Sequence, residues 1–385
     1  MFADRLHQIK PFRVMEVLAR AGELEADGHD VIHLEVGEPD FATATPIVEA
    51  GRQALLDGNT KYTQATGLGE LRARIASYYA GLGVSVDSER IVVTSGASGG
   101  LTLLVALLLN PGDEILITDP GYPCNEVFAQ LVGGCPGSIN VSPNNGYQPT
   151  LEDVQAAWSE QTKGALFASP ANPTGTMMPA RVLSELVDFT KSRDAFFIMD
   201  EIYQGLVQDD IYRTALEVSS ELYILNSFSK YFGMTGWRLG WVVVPESAID
   251  SITRLAQNLF ICPSTPAQHA ALAAFDDDAI EIHEARAEEF ERRCKMLYGG
   301  LLDLGFHIPV RPQGAFYLYV DVSHSGLSGR DFCRRLLDEY YVAVTPGEDF
   351  GDFCAEQHVR FAFTTSMERI ELALGRVARA LEAWR

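Results

Sequence analysis

Lys230 closes the segment Asn226-Ser227-Phe228-Ser229-Lys230, and eight residues later Arg238 stands within Thr235-Gly236-Trp237-Arg238-Leu239-Gly240. A lysine that acts as a Schiff-base nucleophile needs a rigid, partly dry seat close to an anchor for the group it captures. Ser227 and Ser229 place hydroxyls three and one residues before the amine, and Arg238 adds a fork-shaped cation. Together these are the donors that a phosphate dianion requires. Taken without its neighbours, a lysine in a polar loop is ordinarily a surface lysine, so the reading depends on what else the chain brings to it.

Several further segments bear on it. Phe196-Phe197-Ile198-Met199 is apolar enough for a buried strand, and Asp200 closes it. Ligands of open α/β sheets bind at the carboxyl ends of strands. There Asp200 could pair with a protonated ring nitrogen and Tyr203 could donate to a phenolic oxygen, or Asp200 could simply cap the next helix. Ser169-Pro170-Ala171-Asn172-Pro173-Thr174-Gly175 follows the apolar run 164–167. Its two prolines make a sharp loop in which either X-Pro bond could be cis, presenting the Asn172 amide or forming no more than a turn. Thr94-Ser95-Gly96-Ala97-Ser98-Gly99-Gly100 reads as a strand-to-helix turn whose free backbone amides could hold an anion, although many such turns look alike. Tyr122, in Asp119-Pro120-Gly121-Tyr122-Pro123, could stack on a flat ligand or pack as core. Arg360 lies in the apolar stretch Val359-Arg360-Phe361-Ala362-Phe363, where a charge is costly unless paired. It suits a two-pronged grip on a carboxylate, or an internal salt bridge.

The elements that must position these residues alternate. Hydrophobic spacing predicts helices over 11–27, 46–56, 71–79, 101–109, 127–131 and 181–191, with Thr45 capping the second and Gly58 just past its end. Between and after them come strands at 31–36, 91–93, 114–118, 164–169, 196–200, 223–226 and 240–244. Strands and helices in turn imply an α/β chain with a mostly parallel sheet covered by helices on both faces. Near residue 275 the texture changes to a long charged helix over 280–302, a strand at 315–320, a helix at 330–340, strands at 342–344 and 358–364, and a closing helix at 367–384. The expected organisation is a large domain over 46–278 and a smaller α/β domain built from the N-terminal segment 1–45 and the C-terminal third 279–385. A length of 385 residues fits two domains.

Composition excludes some classes of function. A formal net charge of -22 argues against a nucleic acid or an anionic membrane surface as partner. The six cysteines are scattered without CxxC pairs or nearby histidine spacing, so neither a disulfide framework nor a metal site is expected, and a reducing cytoplasm suits them. The residues from Met1 to Arg5 lack the apolar core of a signal peptide, and the longest apolar run, 101–109, is too short to span a bilayer.

Taken in order, these segments resemble the class I and II aminotransferases of the aspartate aminotransferase fold family, fold type I of the pyridoxal-phosphate enzymes. The resemblance is nearly full-length, from His33-Leu34-Glu35-Val36-Gly37-Glu38-Pro39-Asp40 through Lys61-Tyr62-Thr63 to Arg360, and the ordered set Asn172, Asp200, Tyr203, Lys230, Arg238, Arg360 is specific. It implies pyridoxal 5'-phosphate as cofactor, with Lys230 carrying it as a Schiff base and later moving the substrate's α-proton. It further implies that Asp200 pairs with the pyridine nitrogen, that Asn172 and Tyr203 bond the phenolic oxygen, and that Tyr122 stacks on the ring. Ala97, Ser98, Ser227 and Arg238 would hold the phosphate, while Arg360, Gly37 and Asn172 would receive the substrate. Tyr62 would reach the phosphate of a neighbouring subunit, in a homodimer with shared active sites. The glycine turn departs from commoner versions, which carry a bulkier polar residue after Ser98.

The expected reaction passes an amino group from an L-amino acid to a 2-oxo acid, 2-oxoglutarate or pyruvate, with ping-pong kinetics. A β-eliminating lyase of the cysteine-S-conjugate type would keep the same cofactor residues and is the nearest rival. A regulator that has lost catalysis would ordinarily carry a further DNA-binding domain, a reading that the early start of the aminotransferase-like segment and the acidic charge disfavour; a dinucleotide enzyme would want GxGxxG after its first strand, which the turn at Gly96 does not match. No second arginine marks a dicarboxylic side chain; Phe12, with Phe260 and Ile261 on a loop at 258–264 expected from a partner copy, could favour neutral or aromatic donors, or each could be plain packing.

Overall fold

The alternating segments between residues 91 and 243 pair into one seven-stranded sheet. The structure, a computed structural model, describes residues 2–7, 9–207 and 212–384. Across the sheet the order is Ile91–Thr94, Gly240–Val243, Tyr223–Ser227, Phe196–Asp200, Thr162–Ala168, Glu114–Asp119 and Cys135–Asn140. Every neighbouring pair is parallel except those of Gly240–Val243, which runs antiparallel to both of its neighbours.

The inner strands read as largely apolar runs because both faces are covered. Successive side chains point to opposite sides, so Phe197 and Met199 join the core beneath the helices Gly69–Gly81, Ala180–Ser192 and Thr265–Leu272, while Ile198 joins the core beneath Gly96–Leu108 and Ile249–Leu259. No helix among the described residues is long and apolar enough to cross a membrane.

The rest of the chain forms two smaller sheets. Thr345–Pro346, His358–Ala362 and Tyr317–Asp321 pair antiparallel, and Ile32–His33 pairs parallel with Val342–Ala343. The 27-residue helix Asp277–Asp303 leads into this part of the molecule.

Four local expectations change. The strand expected over 31–36 shortens to Ile32–His33, because the carbonyls of Glu35, Val36 and Gly37 accept from side chains rather than from a neighbouring strand. Thr45 is the first residue of Thr45–Leu56, and the position before it, Ala44, makes no side-chain cap. The supposed turn over 96–100 is already helical, as the first turn of Gly96–Leu108. Cys135–Asn140 went unseen because its Pro136 and Gly137 are poor strand formers; it is the terminal strand of the sheet, where proline is tolerated. The helices Leu151–Ala157, Ile249–Leu259 and Thr265–Leu272 were likewise not expected.

Candidate active site

The chemistry-bearing residues converge because of where strands end. Phe196–Asp200 and Tyr223–Ser227 are parallel neighbours that finish on the same edge of the sheet, at Asp200 and Ser227. The reversed strand begins on that edge: Gly240 aligns with Ser227 on one side and Thr94 on the other. Arg238, two residues before it, is thereby delivered beside the start of the helix Gly96–Leu108.

Contact there is close. Gly96 has φ +71°, and a Cβ on it would stand 2.8 Å from Arg238 Nη2; a Cβ on Gly240 would stand 2.9 Å from the Ala97 amide nitrogen. The Arg238 guanidinium thus packs on a helix start, where amides lack intrahelical acceptors. Arg238 donates to the Thr235 carbonyl at 3.0 Å, and Ser98, Ser227 and Ser229 line the same hollow. Such an arrangement can cradle a doubly charged oxyanion. The variant Gly96→Ala is expected to lose about 1–2 kcal/mol of stability from the left-handed backbone and to hold phosphate more weakly, because the new methyl displaces the guanidinium. Denaturant unfolding and a phosphate titration check both.

Beyond the cradle lies Lys230, whose Nζ donates to the Gly37 carbonyl at 2.6 Å. Burial lowers its pKa to about 8, and the nearby Arg360 and Arg238 charges push the same way against the carboxylates of Glu38 and Asp200. Asp200 is 5% exposed, and burial pushes its carboxyl up to about 7. Its Oδ1 accepts from the Ile202 amide at 3.1 Å, a local bond rather than a cap, since no α-helix follows. The Tyr203 hydroxyl lies 2.8 Å from that of Tyr317.

Arg360 is 4% exposed yet is not neutralised. Nη1 donates to Asn172 Oδ1 at 3.0 Å, Nη2 to the Glu35 carbonyl, and Nε has no partner. Its guanidinium lies 4.3 Å from the centre of the Tyr317 ring and 4.7 Å from that of Phe350. Among the described residues no carboxylate forms an ion pair with it, although Asp349 feels its charge from farther away. The internal salt bridge allowed by the sequence is absent at these distances. Asn172 is buried beside it, in a loop whose Ser169-Pro170 and Asn172-Pro173 bonds are both cis; Asp119-Pro120, which the sequence did not single out, is cis as well.

One cavity of about 360 Å³ gathers Gly37, Ala97, Ser98, Tyr122, Asn172, Asp200, Tyr203, Ser227, Lys230, Arg238 and Arg360. Tyr62 stands apart, 80% exposed and outside the cavity. Sequence reasoning overlooked Tyr317, since nothing in the spacing sets it apart from Tyr319 on the same strand. It also missed Val14, Met15, Leu18 and Val36, which with Phe12 make an apolar wall. Phe260 and Ile261, expected on a loop that a partner copy contributes, lie outside the cavity of their own chain.

Comparison with known proteins bears on what such a site does. A sequence profile for aminotransferases of class I and II matches residues 29–377. A (5-formylfuran-3-yl)methyl phosphate transaminase from Methanocaldococcus jannaschii is 36% identical over 385 residues, covering 99% of this chain and 100% of the relative. A valine–pyruvate aminotransferase from Mycobacterium tuberculosis is 34% identical, with 96% of each chain covered. Among solved structures, that of an aminotransferase from Mycobacterium tuberculosis superposes with TM-score 0.96 at 34% identity, over 100% of this chain and 99% of its own.

Proposed function

Since this chain belongs to the class I and II aminotransferases, which depend on pyridoxal phosphate, we propose that it moves the amino group of an L-amino acid with an uncharged side chain onto 2-oxoglutarate or pyruvate, in a ping-pong sequence. Pyridoxal phosphate, when bound, supplies an aldehyde that joins amines covalently and a ring that draws electrons from the carbon beside the nitrogen. The donor set suits it: an amine of lowered pKa, a buried carboxylate, and an anion cradle tight enough that a Cβ at Gly96 would collide with Arg238.

In this reading Lys230 Nζ would hold the cofactor and, as a free amine, would carry the substrate's α-proton. Asp200 would keep a proton on the ring nitrogen. Asn172 and Tyr203 would bond the phenolic oxygen, and Tyr122 would stack on the ring. The amides of Ala97 and Ser98, with Ser227 and Arg238, hold the phosphate. Arg360, the backbone at Gly37 and the edge of Asn172 receive the α-carboxylate. Tyr62 serves the phosphate of a second copy, a role its exposure allows, so the working form is a homodimer with shared sites in the cytoplasm. The chain divides near residues 45 and 278, with the cleft between the two parts.

The observation that carries the proposal is Arg360, a buried guanidinium whose Nε is unpaired and which ion-pairs with no described residue. An α-carboxylate satisfies that need, and planar bidentate geometry favours arginine for it. For the side chain, the wall of Phe12, Val14, Met15, Leu18 and Val36 is apolar, and among the described residues the only cations lining the cavity are Lys230, Arg238 and Arg360. The pairing of valine with pyruvate in the name of the Mycobacterium tuberculosis relative agrees with an apolar donor.

The test is a panel of amino donors against 2-oxoglutarate and pyruvate, read as oxo-acid product. Activity confined to aspartate and glutamate would overturn the uncharged-donor reading. Pyruvate released from a thioether amino acid with no acceptor present would point to elimination instead. Arg360→Lys is expected to lower kcat/KM about ten- to a hundredfold, mostly through KM, because a point charge replaces a two-pronged donor; steady-state kinetics with the best donor measure it.

A further inference from the structure

The Tyr317 hydroxyl touches two parts of the site at once. It lies 2.8 Å from the Tyr203 hydroxyl, and it is the first atom that a Cβ on Gly37 would meet, at 2.3 Å. Tyr317 begins a strand of the smaller antiparallel sheet, whereas Tyr203 follows a strand of the large one, so this bond crosses the cleft between them. We propose that Tyr317 is a positioning residue: it donates its hydroxyl proton to Tyr203 Oη and so aims the Tyr203 O–H at the phenolic oxygen of the cofactor. The proposal rests on the role given to Tyr203 above.

The direction of the bond follows from proton counting. A tyrosine hydroxyl has one proton to give and lone pairs that accept. If Tyr203 spends its proton on the cofactor, the bond between the two rings can form only with Tyr317 as donor. Among the described residues neither hydroxyl has another hydrogen-bond partner, and the two residues are 3% and 1% exposed. The Tyr317 ring cannot easily turn away. The Arg360 guanidinium lies over its face at 4.3 Å, the Tyr203 ring meets its edge at 5.6 Å, and Gly37 closes in on the hydroxyl. Burial raises the pKa of both tyrosines, so both remain neutral donors through the working range. The charged groups facing the pair are Asp200, Arg360 and Lys230, the last with Nζ 5.7 Å from the centre of the Tyr203 ring. A hydroxyl that accepts one hydrogen bond donates a stronger one, because the two polarise each other.

The consequence can be read in the colour of the loaded enzyme. A strong donor on the phenolic oxygen favours the deprotonated form of the Lys230–cofactor linkage; weakening that donor raises the linkage pKa. In a spectrophotometric pH titration of the holoenzyme, Tyr317→Phe should shift the transition upward by about 0.5–1 pH unit. The kcat should fall, while KM for the amino donor stays within about twofold, because phenylalanine keeps the ring beneath Arg360. Tyr203→Phe should shift the transition at least as far, and adding Tyr317→Phe to it should produce no further shift. Cofactor absorbance and a thermal melt confirm that each variant is folded and loaded. If Tyr203→Phe moves the titration and Tyr317→Phe does not, or if the Tyr317→Phe shift persists in full without the Tyr203 hydroxyl, the positioning role is overturned. If Tyr203→Phe is itself silent, the assignment of Tyr203 fails first and this one with it.

Discussion

Replacing Lys230 with alanine is expected to cut turnover by more than about 10⁴-fold, because in the proposed mechanism one amine would do both the covalent and the proton-transfer work. Borohydride, which should fix cofactor to this position in the native protein, should fix none in the variant. Among the described residues no other lysine lines the cavity to take its place. The lowered pKa sharpens the expectation. Burial disfavours the charged amine, and Arg360 and Arg238 add repulsion, so the neutral form gains ground above about pH 8 rather than above the ordinary lysine value. Cofactor capture by the cofactor-free protein should therefore accelerate as pH rises through about 8. The cradle at Gly96, Ser227 and Arg238 is untouched by the change, so the variant should still retain cofactor without the covalent bond, measured by dialysis and absorbance. Turnover comparable to that of the native enzyme would remove Lys230 from the mechanism.

Replacing Asp200 with alanine is expected to lower turnover by a hundred- to a thousandfold, on the order of what losing one preorganised electrostatic partner costs, with a much smaller effect on cofactor retention. The reason lies in an unfinished charge balance. At 5% exposure the carboxyl is pushed up to about 7 and is only partly ionised near neutrality; the one hydrogen bond it accepts comes from Ile202. A protonated ring nitrogen would supply the missing cation and pull that pKa down, so the two groups stabilise each other's charged forms. Without the carboxylate a bound ring nitrogen would lose its proton, and the α-proton would become harder to remove. Retention depends on the phosphate cradle instead, built from other elements. Nearly native turnover in the variant would mean that this carboxylate does not hold the ring charged.

Much of this was already present in the order of residues. Apolar runs ending in Asp200 and Ser227, a glycine-rich helix start and a serine-flanked lysine are local patterns, and local patterns survive in a linear string because backbone propensity and burial act over a few residues. They sufficed for the α/β class and most strands of the large sheet, and they offered Lys230, Asp200, Asn172, Arg238 and Arg360 as candidates, whereas Gly37 entered only through the family resemblance. Distant pairings are another matter. That Gly240–Val243 runs backwards, and so delivers Arg238 to the helix start at Gly96, follows from sheet register, which no spacing encodes. That Arg360 bonds Asn172 instead of a carboxylate, that Lys230 reaches Gly37, and that Tyr317 rather than Tyr319 meets Tyr203 all depend on segments more than a hundred residues apart closing on each other. The sequence alone determined which chemical groups this protein owns and on which kinds of element they sit. Only tertiary structure determined which groups face one another and which charges stay unpaired, since those depend on packing across the cleft, a sum of many small contacts with no local signature.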